Sequence, residues 1–156
     1  MTTTTEALAQ WALNRASIHV TSLDDFLWPP AIAERLLGKG CIIYDKGSEP
    51  HLLTRHIVVP LESPDTHAAI GYGLGLWTLR ERGLPYDTTR AREVGLAIIL
   101  PSQVLVPFYA LDSNVTALAW RFGVTRETMR RRLFSLKSVP AKSGKREQSW
   151  MHAQGA

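Results

Sequence analysis

Thr125, Arg126, Glu127, Arg130 and Arg131 are the residues of this chain best spaced to act on a partner. On a helix, 126 and 130 stand one turn apart, as do 127 and 131, while Met129 and Leu133, also one turn apart, are committed to the core. An arginine fork matches the O6 and N7 acceptors of guanine, the commonest specific contact in the major groove. Thr125 is placed to cap the helix, and its N-terminus would then suit a phosphate. Thr125-x-x-Thr128 lacks only the acidic partner of a full capping box. Downstream, Lys142, Lys145 and Arg146 would add attraction to a nucleic-acid backbone that is blind to sequence.

Other reactive residue types are scattered. Cys41 is the single cysteine, which excludes an internal disulfide and a cysteine-based zinc site and suits a reducing, cytoplasmic setting. His51, His56 and His67 are read as surface or hydrogen-bonded side chains rather than ligands. Gly71-Tyr72-Gly73-Leu74-Gly75 lacks the G-x-G-x-x-G spacing and has no following Lys-Ser/Thr, so neither nucleotide fingerprint applies.

The arginines belong to a pattern running from Val115 to Leu133. Ala119 lets two helices approach, and Gly123, four residues later, supplies a turn conformation that other residues resist. Leu118, Phe122, Val124, Met129 and Leu133 supply the shared core. This is a helix-turn-helix pattern, with helices around 114–122 and 125–136. Charge follows the same division. The chain of 156 residues carries a net +4, yet residues 126 to 146 hold eight basic side chains against one acidic, and residues 1 to 125 sum to −2. A basic excess confined to one end points to a polyanion, and nucleic acid is the usual one.

The elements upstream follow from periodicity and punctuation. Residues 6–16 read as a helix with Leu8, Trp11, Ala12 and Leu13 on one face. Ser22 opens a second helical stretch, which Pro29-Pro30 interrupts and 31–37 resumes until Gly38 and Gly40. Residues 41–44, 51–53 and 56–59 read as three strands of a small antiparallel sheet. A helix runs from Ser63-Pro64-Asp65 to about Arg82, and another from Thr89 to Leu100, stopped by Pro101. Three glycines in the first of these cost roughly 1 kcal/mol each against alanine, so Gly71 and Gly75 are expected to offer a smooth face to a neighbouring backbone. No stretch of about 18 apolar residues is present to span a membrane. The opening Met1-Thr2-Thr3-Thr4-Thr5-Glu6 lacks the basic start and apolar run of a signal peptide.

The segment from about Gly40 to Pro101 resembles the ImmA/IrrE family of zinc metalloproteases, which cut phage and stress-response repressors. That family's active-site helix reads roughly A-H-E-L-G-H-x-L-L. Gly71-Tyr72-Gly73-Leu74-Gly75-Leu76-Trp77-Thr78-Leu79 keeps the Leu-Gly pair and the apolar residues after it. The next helix reads roughly E-x-E-A-(N/D)-x-F-A-A-x-L-L-x-P, and residues 88–101 keep Ala91 and the closing Ile98-Ile99-Leu100-Pro101. The resemblance implies zincin-like helices and a degenerate former active site. Tyr72, Gly73 and Leu76 stand where two histidines and a glutamate would, and Thr88 stands near the third ligand. Glu93 lies a turn and a half further on, on another face.

Zinc needs about three protein ligands from His, Glu, Asp or Cys. Loss of metal and general base removes both the Lewis acid and the activated water. The resemblance therefore implies a non-enzyme with no metal and no cofactor, its old cavity filled by Tyr72, Leu76 and Trp77.

The resulting expectation is a mainly helical α+β chain with a small antiparallel sheet, followed by a helix-turn-helix. Residues 1–105 form the zincin-like domain, 106–139 the helix-turn-helix unit, and 140–156 a basic, disordered tail. The expected function is a catalytically inactive regulator that binds DNA, cytoplasmic and without a membrane partner, with a homodimer suited to a palindromic site. The alternatives are a protein-interaction module that grips a repressor as an antirepressor or decoy and, last, a metallopeptidase with unrecognised ligands.

Overall fold

The computed structural model describes residues 4–21, 23–47 and 49–137. Among them the chain is mainly helical, with one small sheet, which is the α+β class expected. Helix α1 (Thr5–Arg15) starts where the Thr4 hydroxyl accepts the Ala7 N–H at 3.1 Å, and it buries Leu8, Ala9, Ala12 and Leu13. Helix α2 (Pro29–Leu37) corrects the expectation for the two prolines. They occupy the first turn and begin the helix, because a first-turn residue needs no N–H donor there and the proline φ is already helical. Before it, Leu23–Asp25 forms a single 3₁₀ turn.

Strands β1 (Ile42–Asp45), β2 (His51–Leu52) and β3 (Ile57–Pro60) form a sheet in the order β1-β3-β2. The sheet is mixed rather than antiparallel throughout: β2 runs antiparallel to β3, while β1 runs parallel to it. Strand β3 is buried at every position and takes the centre, as its unbroken apolar run requires. The chain leaving β1 must then cross to the far side of β3 before turning back, which sets β1 and β3 in the same direction.

Helix α3 (Thr66–Glu81) lies over the sheet. Its Arg80 donates to the Leu53 and Thr54 carbonyl oxygens at 3.3 and 2.8 Å, and Gly73 sits on Ile57. Helix α4 (Thr88–Ile99) crosses α3 with the two backbones touching. A methyl at Gly75 would fall on the Ala91 carbonyl oxygen, and one at Gly95 on the Gly71 carbonyl oxygen. The smooth glycine face expected from sequence is this crossing.

Helix α5 (Ser102–Leu111) was not legible in the sequence, because Pro107 lies inside it. Pro107 is exposed, so water can satisfy the carbonyl that its missing N–H leaves free. The boundary expected after residue 105 therefore falls within a helix. Helices α6 (Val115–Phe122) and α7 (Arg126–Lys137) complete the described chain. They join the same buried apolar cluster as α1 to α4. Phe122 meets Phe26 and Phe108 edge-on at 5.1 and 5.8 Å.

Candidate functional site

The turn between α6 and α7 is built as its residues require. Gly123 adopts φ 69°, and a methyl there would lie 2.7 Å from the Trp28 ring and 2.9 Å from His67. Both the left-handed backbone and the lack of space call for glycine. Ala119, Leu118, Phe122, Met129 and Leu133 are buried. With that face of α7 committed, Arg126, Glu127, Arg130 and Arg131 are all exposed together on the other, as expected. Arg131 meets Glu127 at 3.7 Å, an exposed ion pair worth little.

One of the expected anion-binding groups is used differently. Thr125 accepts the Thr128 N–H at its hydroxyl (3.2 Å), so the cap forms. Its own N–H, a donor expected to face a phosphate, donates instead to Asp65 Oδ2 at 2.8 Å. The other oxygen of that carboxylate accepts the Ala68 N–H at 2.9 Å. Asp65 thus caps α3 and the start of α7 together, and its charge occupies the place expected for an anion.

Arg132, one of the eight basic residues counted toward a polyanion, is fully buried. It forms a two-pronged ion pair with Glu6 at 2.8 and 2.9 Å, and its Nε donates to the Leu100 carbonyl at 2.9 Å. Of three consecutive arginines, two face out and one ties α7 to α1. Lys142, Lys145 and Arg146 lie outside the described residues, as does the expected tail from 140.

The four positions of the expected former active site part company. Gly73 and Leu76 are buried, Gly73 against Ile57. Tyr72 and Thr88 line one cleft of about 440 Å³ with Glu49, Asp65, Arg92 and Arg131. That cleft is open, and neither Gly73 nor Leu76 lines it. Leu76 and Trp77 turn into the core, and Trp77 packs on Trp11 at 5.8 Å. The Arg92 guanidinium lies 5.6 Å from the Tyr72 ring centre. Burial first, then a hydrogen bond with the Tyr86 hydroxyl, pushes the Tyr72 phenol up to about 12, so it is a neutral hydroxyl at ordinary pH.

Among the described residues no three of His, Cys, Asp and Glu converge as a metal site would need. His51 Nδ1 lies 2.9 Å from the Glu49 carbonyl oxygen, and His56 is exposed. His67 packs beside Trp28, and its buried Nδ1 has no hydrogen-bond partner among the described residues, contrary to the surface or hydrogen-bonded role expected. Cys41 is buried, and that burial raises its thiol pKa.

Sequence reasoning missed three exposed apolar side chains: Leu111 (87% exposed), Trp120 (84%) and Phe134 (71%). A wheel drawn through Met129 and Leu133 puts Phe134 outside, so that signal was present. Trp120 and Phe108 line a shallow cavity of about 490 Å³ between α5 and α6. No single helix among the described residues is long and apolar enough to cross a membrane, and α4 and α5 are bent by 67° where they meet.

The fold and site define a mainly helical α+β protein with an arginine-bearing helix pair at the end of its described chain. No family model, no curated protein and no solved structure matches it.

Proposed function

We propose that this chain is a catalytically inactive, ImmA/IrrE-like regulator that binds DNA through α6 and α7. One observation carries the reading. Arg126, Arg130 and Arg131 share the exposed face of α7, while Met129, Arg132 and Leu133 anchor the opposite face. A rigid helix presenting arginines suits entry into the major groove, where side chains must arrive in fixed register. The degenerate positions 72, 73, 76 and 88 support a role without peptidase chemistry, metal or cofactor. A cytoplasmic setting suits a lone, buried cysteine, and a homodimer would suit paired half-sites.

Fluorescence anisotropy with a pool of duplexes tests the reading. Binding should weaken as salt rises. Arg126→Ala with Arg130→Ala should flatten the salt slope by roughly one unit for each phosphate that these arginines neutralise. Absence of binding at low salt would overturn it.

Leu111 and Trp120 favour a second reading, a protein-interaction module that holds a repressor without cutting it. Exposed aromatic side chains are enriched where proteins meet. On that reading Trp120→Ala abolishes partner capture and leaves DNA affinity unchanged.

A further inference from the structure

We propose that the cavity between α1, α4 and α7 binds a small aromatic anion, and that this ligand competes with DNA for Arg131. The competition rests on the DNA-binding reading above; the cavity does not.

The cavity measures about 460 Å³ and is walled by the cap residue Thr4 and Thr5 at the start of α1, Arg92 and Leu96 of α4, and Arg131 and Phe134 of α7. That size falls within the few hundred Å³ typical of small-molecule sites. Its apolar part is the Phe134 ring beside Leu96, a surface on which a flat ring can stack.

Its basic wall residues are Arg92 and Arg131. Arg92, Leu96 and Arg131 also line the cleft that contains Tyr72, so the two arginines form the partition between the two cavities. Two arginines on one wall, with an apolar residue between them in the lining, offer an anion two sets of donors. Among the described residues no carboxylate pairs with Arg92, and Arg131 has only the exposed Glu127 at 3.7 Å. A carboxylate or phosphate held between two arginine forks makes short, charge-assisted bonds.

Two acids also line the cavity, and they differ. Glu6 gives both oxygens to Arg132. Glu93 has no ion-pair partner among the described residues and opposes an anion from the wall. The ligand class is therefore a planar ring bearing one acidic group. Arg131 stands on the exposed face of α7 as well as in the cavity, so an anion that captures it removes it from the DNA face.

Two probes represent the class: salicylate for aromatic carboxylates and AMP for nucleoside monophosphates, each beside its neutral twin, salicylamide or adenosine. Amide NMR shifts of the full chain report where they bind. At least one anion should move the amides of Leu96, Arg131, Phe134 and Ser135, and its twin should not. Arg92→Gln, an exposed change, should weaken binding by about tenfold, the share of one charged hydrogen bond. Glu93→Gln should tighten it. Shifts elsewhere, equal shifts from the neutral twins, or an Arg92→Gln protein that binds as before would overturn the cavity. With DNA bound at constant ionic strength, the active probe should raise the apparent Kd for wild type, and Arg92→Gln should need about tenfold more probe for the same rise. An unchanged Kd for wild type would overturn the competition. If DNA does not bind at all, the competition falls with the regulator reading, while the NMR shifts still decide the cavity.

Discussion

Where α3 crosses α4, the two helices meet through missing side chains: Gly71, Gly75 and Gly95 bring one backbone against the other. Where α7 meets the body, long polar side chains make the join: Arg132 reaches Glu6 and the Leu100 carbonyl, and Asp65 reaches the Thr125 N–H. The crossing tolerates no added atom. The polar join tolerates no buried charge left without its partner. A helix held on one face by Met129, Leu133 and a few polar anchors can keep its outer face free for a partner, whereas the glycine crossing leaves only the ends of α3 exposed.

The largest effect should come from breaking the polar anchor. Glu6→Ala leaves a fully buried guanidinium without its carboxylate and should cost about 3–5 kcal/mol. Arg132→Met, which removes the charge and keeps the volume, should cost much less. Urea unfolding of both variants checks the order, and equal losses would show that the pair acts only through its packing.

Next comes the glycine crossing. Gly75→Ala adds one methyl against the Ala91 carbonyl and should lose about 1–3 kcal/mol, although alanine is the better helix former. A raised melting temperature would show that the helices can part without cost.

Asp65→Asn sharpens the comparison, because one side chain serves both regions. It keeps an acceptor for one N–H and loses the charge shared by two, so a loss of about 1 kcal/mol is expected by thermal unfolding. No change would mean that the two caps do not join α3 to α7.

The smallest effect on stability should come from the exposed face of α7. Arg126→Ala and Arg130→Ala should each stay within about 0.5 kcal/mol of wild type by the same measurement. Loss of folding in either would place those arginines in the structural framework and withdraw them from the DNA face.

Much of the fold was legible because local rules govern it. Residues 115–133 carry their own helix periods and a turn glycine, so α6 and α7 stand where the sequence places them. Asp65, part of the expected start of α3, caps that helix, and Asp87 caps α4, which begins at Thr88, one residue before the expected Thr89. What misled the reading was local chemistry with two outcomes. Pro29-Pro30 can break a helix or begin one. Pro107 reads as a break, yet an exposed helix face absorbs it.

The candidate site divides in the same way. By itself the sequence determined which face of α7 carries arginines, since apolar spacing at Met129 and Leu133 leaves the others outside. It also determined that Tyr72, Gly73 and Leu76 lack the set of His, Glu, Asp or Cys ligands that zinc needs, because Gly73 and Leu76 carry no ligand atom and Tyr72 alone does not suffice. Only the tertiary structure decided that Arg132 points inward, because Glu6 lies 126 residues away and no local pattern records a partner at that distance. It alone decided that Asp65 takes the Thr125 N–H across 60 residues. It alone set Arg92 and Arg131 on one wall, because the open space beside them is created by three helices packing around it.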